Sequence, residues 1–396
     1  MKKIVTVLLF ASGLFTLPLQ AADLRWSGFG SIVLGKTIDD EPLPGGTNST
    51  YKPDAAAPNV DGAYYDNNWS MKPDTLFGIQ VDIDLNDKLS LTSQLVSKGA
   101  NDYDTEIEWL YAGYELSPKL VINFGKQRLP LYNYSDFQDV GFAYHWTRPP
   151  LEVYGEELSS YEGISTLYVD SFGDWDYDAQ VYWGNSTTDG TPLGDVNLKD
   201  LFGAVLTFTN EELKYRVSAH RAEVWTDGDT GLATLVDEDS PSKAAFYSGG
   251  VFYDTGEWLV GSEVTYMDAG LIQADTDGGT FVSRKTWMVT AAYRFNDFLP
   301  HITFSEREIE LAKDGTEAVL TPTLGAALAA IASEPLDGAK QISQTINLGV
   351  RWDFHPQAAI KLDYIRRADK SDDVIVDSAG KTLKIDVLSI GMDFIF

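Results

Sequence analysis

The stretch LKIDVLSIGMDFIF at residues 383–396 alternates between apolar positions and positions that are mostly small or polar. Counting back by twos from Phe396 gives Phe394, Met392, Ile390 and Leu388, which form one continuous apolar set. The alternate set carries a carboxylate. A period of two places the two sets on opposite faces of one β-strand. The stretch also has the length of a strand that is tilted across a bilayer, which needs about 9–11 residues.

The same alternation recurs along the chain, most clearly over 77–85, 175–183, 213–220, 286–295, 345–354 and 358–364. The apolar set often begins or ends in Trp, Tyr or Phe, as an interfacial aromatic girdle requires. Short turns rich in Asn, Asp, Gly and Pro alternate with long connections, among which we include 185–199 and 269–284. This layout predicts an all-β, antiparallel transmembrane barrel with short turns on one side and long loops on the other.

Counting strands by this rule gives sixteen. They are predicted near 24–36, 75–86, 89–98, 106–116, 120–128, 161–170, 175–184, 201–209, 213–225, 245–253, 258–268, 285–295, 299–311, 342–354, 358–367 and 383–396. The facing of the first, sixth, tenth and thirteenth strands stays open, and Gly28 and Gly30 blur the first. The sheet must close, because unpaired backbone groups are too costly in hydrocarbon. A barrel of this size leaves an aqueous channel.

The beginning of the chain reads as a secretory signal. Lys2 and Lys3 precede an apolar run from Ile4 to Leu17, and a cut after Ala21 is plausible. We therefore expect a signal peptide over 1–21, export through the periplasm, and one barrel domain over 22–396. The absence of cysteine rules out disulfides and thiolate metal sites.

The net charge of −29 argues against nucleic acid as a partner, because phosphate backbones require a basic surface. The acidic residues concentrate in loop-like stretches such as 39–41, 237–239 and 372–373. Two interpretations of these clusters stay open. They are solvated loop charge that keeps the surface soluble, or they are bridged by divalent cations to anionic lipopolysaccharide.

The most unusual connection follows the fifth predicted strand and runs over 129–163. Connections this long are usually functional or disordered, and this one has too many aromatic residues for disorder. The aromatic side chains either form stacking platforms for sugars or pack the loop against the barrel wall. They are Tyr132, Tyr134, Phe137, Phe142, Tyr144, Trp146 and Tyr154.

Four stretches carry a family resemblance: SGFGSIVLGK, SKGANDYD, FGKQRLPLYNYSDFQDVGFAYHWTRPP and the last strand. With these stretches the chain resembles the porins of Gram-negative bacteria, specifically those of marine gammaproteobacterial type. The resemblance implies that the loop over 129–163 folds inward as a constriction loop, in a sixteen-stranded barrel. It also implies a homotrimer in the outer membrane, without enzyme activity.

Carried over by position, the acidic candidates for the pore constriction are Asp136, Asp139 and Glu152. Arg128 and Arg148 are their candidate basic partners. Alternatively, these side chains only hold the loop together, through backbone hydrogen bonds and internal pairs. Candidate basic residues of the pore wall are Lys214, Arg216, Arg294, Arg351 and Lys361. The early wall strands lack the arginines of similar porins, so the sign of the selectivity stays open.

No motif for catalysis or for a cofactor is found. The four histidines are not at metal-ligand spacing, and the chain has no P-loop, GxGxxG or GxSxG motif. We therefore expect no catalytic residues, no metal and no cofactor. The prediction is an outer-membrane porin for passive diffusion of small hydrophilic solutes and ions, with a mild cation preference. The alternative is a substrate-specific channel for oligosaccharides or an oxyanion, motivated by the aromatic loop and the basic wall residues.

Overall fold

A computed structural model describes residues 23–38, 65–155, 159–191, 194–227, 241–274, 278–313, 340–369 and 384–396. Within these ranges the chain forms sixteen β-strands, and each strand pairs in antiparallel orientation with its neighbours. The first strand pairs with both the second and the last, so the sheet is a closed barrel. The predicted fold class is confirmed. The predicted signal peptide, residues 1–21, lies outside the described residues.

The strands are β1 Asp23–Thr37, β2 Leu76–Asn86, β3 Leu89–Lys98, β4 Thr105–Ser117, β5 Leu120–Arg128, β6 Ser160–Phe172, β7 Trp175–Thr191, β8 Gly194–Thr209, β9 Leu213–Asp227, β10 Ser242–Asp254, β11 Trp258–Ala274, β12 Gly278–Tyr293, β13 Phe298–Lys313, β14 Lys340–His355, β15 Ala358–Asp369 and β16 Lys384–Ile395. Every predicted strand corresponds to one of them.

In their described residues, the two predicted long loops 185–199 and 269–284 are instead continuations of strands. The β7–β8 ladder extends to Thr191 and Gly194, and the β11–β12 ladder extends to Ala274 and Gly278. Alternation of apolar and polar residues reports only the part of a strand that meets hydrocarbon on one face. Beyond that part, backbone hydrogen bonds continue the ladder without requiring an apolar set, so the sequence pattern ends before the strand does.

The apolar set of each clear strand forms the outer surface of the barrel. On β9, for example, Val217 is 55% exposed, whereas its neighbours Arg216 and Ser218 are buried. Aromatic residues crowd the end with short turns, where Trp258 and Tyr293 lie 4.7 Å apart between ring centroids. This arrangement matches the lipid-facing surface and aromatic girdle of a membrane barrel.

The structure resolves the facing of the four ambiguous strands. On β6, Ile164 is exposed and Ser165 is buried. On β10, Tyr247 is exposed and Ser248 is buried, and on β13 Thr303 is buried. In β1, the odd-numbered Phe29 and Val33 point inward, whereas Trp26 and Ile32 are exposed on the outer face.

Closure of the barrel explains the glycines of β1. Gly28 and Gly30 lie on the outer face beneath aromatic rings of the last strand. A Cβ at Gly28 would lie 2.2 Å from the Phe396 ring, and one at Gly30 would lie 2.6 Å from the Phe394 ring. Gly30 is the register partner of Phe394. The two glycines therefore leave room for the rings that cover the β1–β16 seam.

The parts outside the strands include short helical turns and one four-residue α-helix, α1, over Leu151–Tyr154. No helix of the described residues is long and apolar enough to cross a membrane. Helix α1 and two 3₁₀ turns, Ser135–Phe137 and Gly141–Ala143, belong to the connection between β5 and β6. This connection carries four of the five predicted constriction residues, Asp136, Asp139, Arg148 and Glu152, and the fifth, Arg128, ends β5.

Candidate functional site at the β5–β6 segment

The connection between β5 and β6, residues 129–159, is here called the β5–β6 segment, and it is described over 129–155 and at 159. Proline stops regular structure on both sides of its centre. Pro130 is the second residue after β5, and Pro150 precedes α1 with φ −56°, where its fixed φ suits a helix start. Between them the chain advances by 3₁₀ turns, and backbone carbonyls such as those of Phe142 and Trp146 are left for side-chain donors.

The first part of the segment is held by β9, β10 and β11. Arg216 on β9 donates to the carbonyl oxygens of Pro130 and Leu131. Ser248 on β10 donates to the same Leu131 carbonyl at 2.8 Å. The carboxylate of Glu263 on β11 accepts the backbone N–H of Asn133 at 2.9 Å. The hydroxyl of Tyr154, on α1, donates to the other oxygen of Glu263.

The middle part, 141–147, is here called the tip, and it is held by β14, β15 and β16. The ammonium of Lys361 donates to the carbonyls of Gly141 and Trp146, both at 2.6 Å, and pairs with Asp393 at 2.7 Å. Arg351 donates to the carbonyls of Phe142 and Tyr144. All of these donors lie on the buried, polar face of the barrel strands.

The last residues of the tip contact a buried polar cluster. Asp363 on β15 accepts from the backbone N–H of Thr147 at 2.7 Å and from its hydroxyl at 2.8 Å. Its other oxygen lies 3.2 Å from Nε2 of His301. The ring of His145 lies 4.7 Å from that of His301, and its Nε2 is 2.9 Å from the Thr290 hydroxyl. Burial, followed by the neighbouring His301, lowers the pKa of His145 well below its ordinary value.

Aromatic side chains of the segment are buried against the wall. Tyr132, Tyr134, Trp146 and Tyr154 belong to one apolar cluster that also contains Phe246 of β10. The indole N–H of Trp146 donates to the Thr303 hydroxyl at 2.7 Å, so its polar atom is satisfied as well. These rings pack the segment, as the second interpretation of the sequence expected, and leave little surface for stacking a solute.

Two of the predicted acidic residues have buried partners. Asp139 is 6% exposed and forms ion pairs with Arg128 and with Lys98. Burial raises the pKa of Asp139, but Arg128 and Lys98 outweigh it and hold the pKa at about 2. Glu152 is 3% exposed and accepts hydrogen bonds from hydroxyls of β13 and β14. Asp139 and Glu152 thus hold the segment in place.

Arg148 is partly exposed and pairs with Asp74, which precedes β2, at 2.7 Å. Asp74 also accepts a hydrogen bond from the hydroxyl of Tyr65 at 2.9 Å. Arg148 therefore ties the end of the tip to the residues before β2. It forms no ion pair with Asp136 or Asp139 in the described contacts, but its charge contributes to the lowered pKa of Asp139.

Asp136 differs from the other acidic candidates because it is exposed. Its carboxylate interacts electrostatically with Tyr111 on β4, Asp178 on β7 and Lys214 on β9. These three strands lie on the side of the barrel opposite to the strands that hold the tip. Asp82 on β2 acts on the same Tyr111. Asp136 therefore faces a wall that carries carboxylates and Lys214, and its charge also acts on the buried Arg128 and Arg216.

The predicted basic wall residues are distributed unevenly. Arg216, Arg351 and Lys361 are at most 9% exposed and are bonded to the β5–β6 segment. Lys214 is half-buried on the wall that Asp136 faces. Arg294 lies near the short turns and pairs with Asp353 at 2.7 Å. Three of the five predicted basic wall residues, Arg216, Arg351 and Lys361, therefore bind the β5–β6 segment and do not form an open basic patch.

Sequence reasoning missed the inner-face carboxylates that complete this network, namely Glu108, Glu263, Asp363 and Asp393. The signal was available in part, because each is a carboxylate on the polar side of a strand. Their partners could not be identified, since the contacts join positions such as Asp363 and Thr147 that are 216 residues apart. The described residues contain no group of three or more side chains suited to a metal ion.

No protein-family model and no curated protein sequence matches this chain. Solved structures do match over nearly its full length. OmpT of Vibrio cholerae has a TM-score of 0.55 at 13% identity, over 96% of this chain and 99% of that one. The outer membrane channel DcaP of Acinetobacter baumannii has a TM-score of 0.57 at 14% identity, over 95% and 97%. The chain has the porin fold.

An anion-selective porin from Comamonas acidovorans is similar to the same degree, with a TM-score of 0.54 and 11% identity, over 95% of this chain and 100% of that one. Identities this low establish the fold alone. The porin fold hosts channels that differ in ion selectivity, so the selectivity of this chain must be argued from its own residues.

Proposed function

We propose that this protein is an outer-membrane porin, an aqueous channel for passive diffusion of small hydrophilic solutes and ions. A closed sixteen-stranded barrel is too wide for side chains to fill its interior. Its apolar outer face suits lipid, and its polar inner face suits water. The proposed location is the Gram-negative outer membrane. The sequence resemblance further supports the marine gammaproteobacterial type as the family and the absence of an enzymatic role.

We further propose that the β5–β6 segment constricts this channel. The observation that carries this proposal is the set of anchors on the polar face of the strands. Donors and acceptors from β9 through β16 hold the segment, and they span half of the barrel circumference. A segment anchored in this way narrows the passage, and we propose that the passage stays open where the exposed Asp136 faces β4 and β7.

The charges along the remaining passage favour cations. Asp136 on the segment faces Asp178, with Asp82 nearby. Its basic electrostatic neighbours are Lys214, on the wall of the passage, and the buried Arg128 and Arg216. Arg216 and Lys361, by contrast, are engaged by the segment itself. Rings of like charge select for the opposite charge in channels. We therefore propose a mild cation preference, with Asp136 as the main determinant on the segment.

The test is single-channel recording in planar bilayers, combined with swelling of proteoliposomes in sugars of increasing size. A porin gives discrete ohmic steps and swelling rates that fall smoothly with solute mass. A reversal potential that reports anion selectivity would contradict the assigned preference. The absence of any conductance from folded protein would contradict the function itself.

A substrate-specific channel for oligosaccharides or an oxyanion is the alternative from the sequence. Lys214 is the observation that still favours it, because it is a cation on the wall of the passage. Saturable block of the current by a sugar or oxyanion would support this alternative. The burial of the aromatic side chains argues against sugar stacking and favours general diffusion.

We also propose that the protein is a homotrimer that contacts lipid and lipopolysaccharide. The trimer rests on the resemblance to porins, and one matching structure is described as a trimer form of OmpT of Vibrio cholerae. Its test is the mass of the protein–detergent complex, measured by light scattering with the detergent contribution subtracted. A monomer mass would contradict it.

A further inference from the structure

An open cavity lies at the end of the barrel with the short turns, between two neighbouring turns and the tip. The β12–β13 turn contributes Asp297, and the β14–β15 turn contributes His355 and Pro356. Phe142 of the tip and Arg351 of β14 form the side toward the barrel interior. This space is here called the turn cavity. Its volume of about 530 Å³ is in the range of small-molecule sites.

Arg351 presents a fixed hydrogen-bond donor to the turn cavity. Its Nε donates to Asp353 at 2.6 Å, and its Nη1 donates to the carbonyls of Phe142 and Tyr144 at 2.7 and 2.8 Å. Its guanidinium carbon lies 4.6 Å from the ring centroid of Phe142. The other terminal nitrogen, Nη2, has no hydrogen-bond partner among the described residues. A guanidinium held in this way keeps its remaining N–H groups in one plane, which suits a carboxylate.

The turn cavity also contains an unpaired carboxylate. The exposed side chain of Asp297 forms no hydrogen bond or ion pair in the described contacts, while its backbone carbonyl accepts the N–H of Asp353 at 2.8 Å. Asp353, by contrast, is paired with both Arg351 and Arg294. The two arginines and the two aspartates balance in charge. A neutral site with one available donor group and one available carboxylate favours a ligand that carries both charges, a zwitterion.

The strand register brings the two available groups close together. Leu299 of β13 is the cross-strand partner of Arg351, and Asp297 lies two residues before Leu299. The α-carbons of Asp297 and Arg351 are therefore diagonal neighbours, about 7–8 Å apart. In an α-amino acid the nitrogen lies about 2.5 Å from the carboxylate carbon, and each charged hydrogen bond adds about 2.8 Å. One amino acid with its two contacts therefore spans about 8 Å, which matches this spacing.

The rest of the lining is apolar apart from one histidine. The ring of Phe354 is 44% exposed, and Phe354, Pro356 and Phe142 line the turn cavity. Nδ1 of His355 accepts the backbone N–H of Gln357 at 3.1 Å, so the neutral ring carries its proton on Nε2. His355 thus offers a second donor, and the other side chains offer a surface for an apolar group.

We propose that the turn cavity binds α-amino acids that have an apolar side chain. Nη2 of Arg351 and Nε2 of His355 donate to the carboxylate, and Asp297 accepts from the ammonium group. The apolar side chain packs against Phe142 and Phe354. A solute that passes the tip meets this site at the short-turn end of the channel, so the inference adds a solute class to the proposed function. Binding itself does not depend on conduction.

The test is saturation-transfer NMR of the full-length protein in detergent, titrated with L-phenylalanine and with 3-phenylpropionate, which lacks the ammonium group. Asp297→Asn should weaken binding of L-phenylalanine roughly fivefold, as for a partly screened charged contact, and should change binding of 3-phenylpropionate less than about twofold. The matched control is Asp174→Asn, an exposed aspartate in the β6–β7 turn, which should change neither affinity. Arg351→Gln should weaken binding of both ligands about tenfold.

Equal affinity for L-phenylalanine in Asp297→Asn and Asp174→Asn would overturn the proposal. So would binding of phenethylamine, which lacks the carboxylate, or of glycine, which lacks the apolar side chain, as tightly as L-phenylalanine. Single-channel recording separates this inference from the proposed function. A folded protein that binds L-phenylalanine through Asp297 but does not conduct refutes the channel and keeps the turn cavity, whereas a conducting protein without this binding refutes the turn cavity alone.

Discussion

Replacing Lys361 by Met should release the tip of the β5–β6 segment from the barrel wall. The Lys361 ammonium is fully buried, pairs with Asp393 and donates to two carbonyls of the tip. Met keeps the length of the side chain but removes the charge and all donors. The variant leaves the Asp393 carboxylate, which is 1% exposed, without a cation. Its remaining partner is the Ser31 hydroxyl at 2.5 Å.

An uncompensated buried charge costs about 3–5 kcal/mol, and a buried carbonyl left without a donor costs about 1–3 kcal/mol. The Gly141 carbonyl keeps the Tyr144 N–H at 3.3 Å, so only the Trp146 carbonyl loses its donor. If the tip stayed in place, the variant would therefore lose about 4–8 kcal/mol. This exceeds the free energy with which a surface segment usually resists local opening. We expect the tip to detach so that water reaches Asp393, while the anchors on β9 to β11 keep the first part of the segment in place.

The assay is single-channel recording, together with the midpoint of urea unfolding in detergent. Lys361→Met should raise the conductance and the open-channel noise. Adding Asp393→Asn removes the unpaired charge and should restore most of the lost stability, but not the two donors to the tip. The matched control is Arg294→Met, which breaks an exposed pair worth about 0–1 kcal/mol. Wild-type conductance, noise and stability in Lys361→Met would refute the assigned anchoring role.

Three further predictions follow from burial and close contact. Gly30→Val should impair barrel assembly, measured as the fraction of heat-modifiable protein, because its Cβ would lie 2.6 Å from the Phe394 ring. Asp139→Asn should destabilise the fold by about 1.5–3 kcal/mol at neutral pH, since the buried Arg128 loses its nearest carboxylate and keeps Glu108 at 3.8 Å. Because the pKa of Asp139 is lowered to about 2, the wild type should lose this stabilisation only as the pH falls from about 4 through 2. The lowered pKa of His145 should cost the wild type up to about 1.4 kcal/mol per pH unit below about pH 6.5, and His145→Gln should flatten that slope in urea unfolding.

The barrel could be predicted from the sequence because its cause is local. A strand such as β9 alternates Tyr215 and Val217 with Arg216 and Ser218, since one face meets lipid and the other does not. The alternation of apolar and polar residues did not predict which face of β1 is exposed, because Gly28 and Gly30 have no side chains. Their cause lies at the other end of the chain, in the Phe396 and Phe394 rings that cover them.

The site could be predicted only as a segment and a set of charged residues. Which charge meets which depends on the register of distant strands. The sequence predicted Lys361 and Arg351 as basic residues of the open pore wall. In the structure both side chains donate hydrogen bonds to backbone carbonyls of the tip. Spacing along the chain contains no information about such contacts. Exposure likewise separates Asp136 from Asp139, although both belong to the same loop motif.

The most direct measurement is the single-channel reversal potential of wild type and Asp136→Asn in a salt gradient. Asp136 is the exposed carboxylate among the described residues of the segment, so its neutralisation should leave the barrel folded and conducting. The predicted result is ohmic steps with a cation-preferring reversal potential, which moves toward zero in the variant. An unchanged reversal potential would remove Asp136 from the constriction, and no conductance from the folded wild type would contradict the channel.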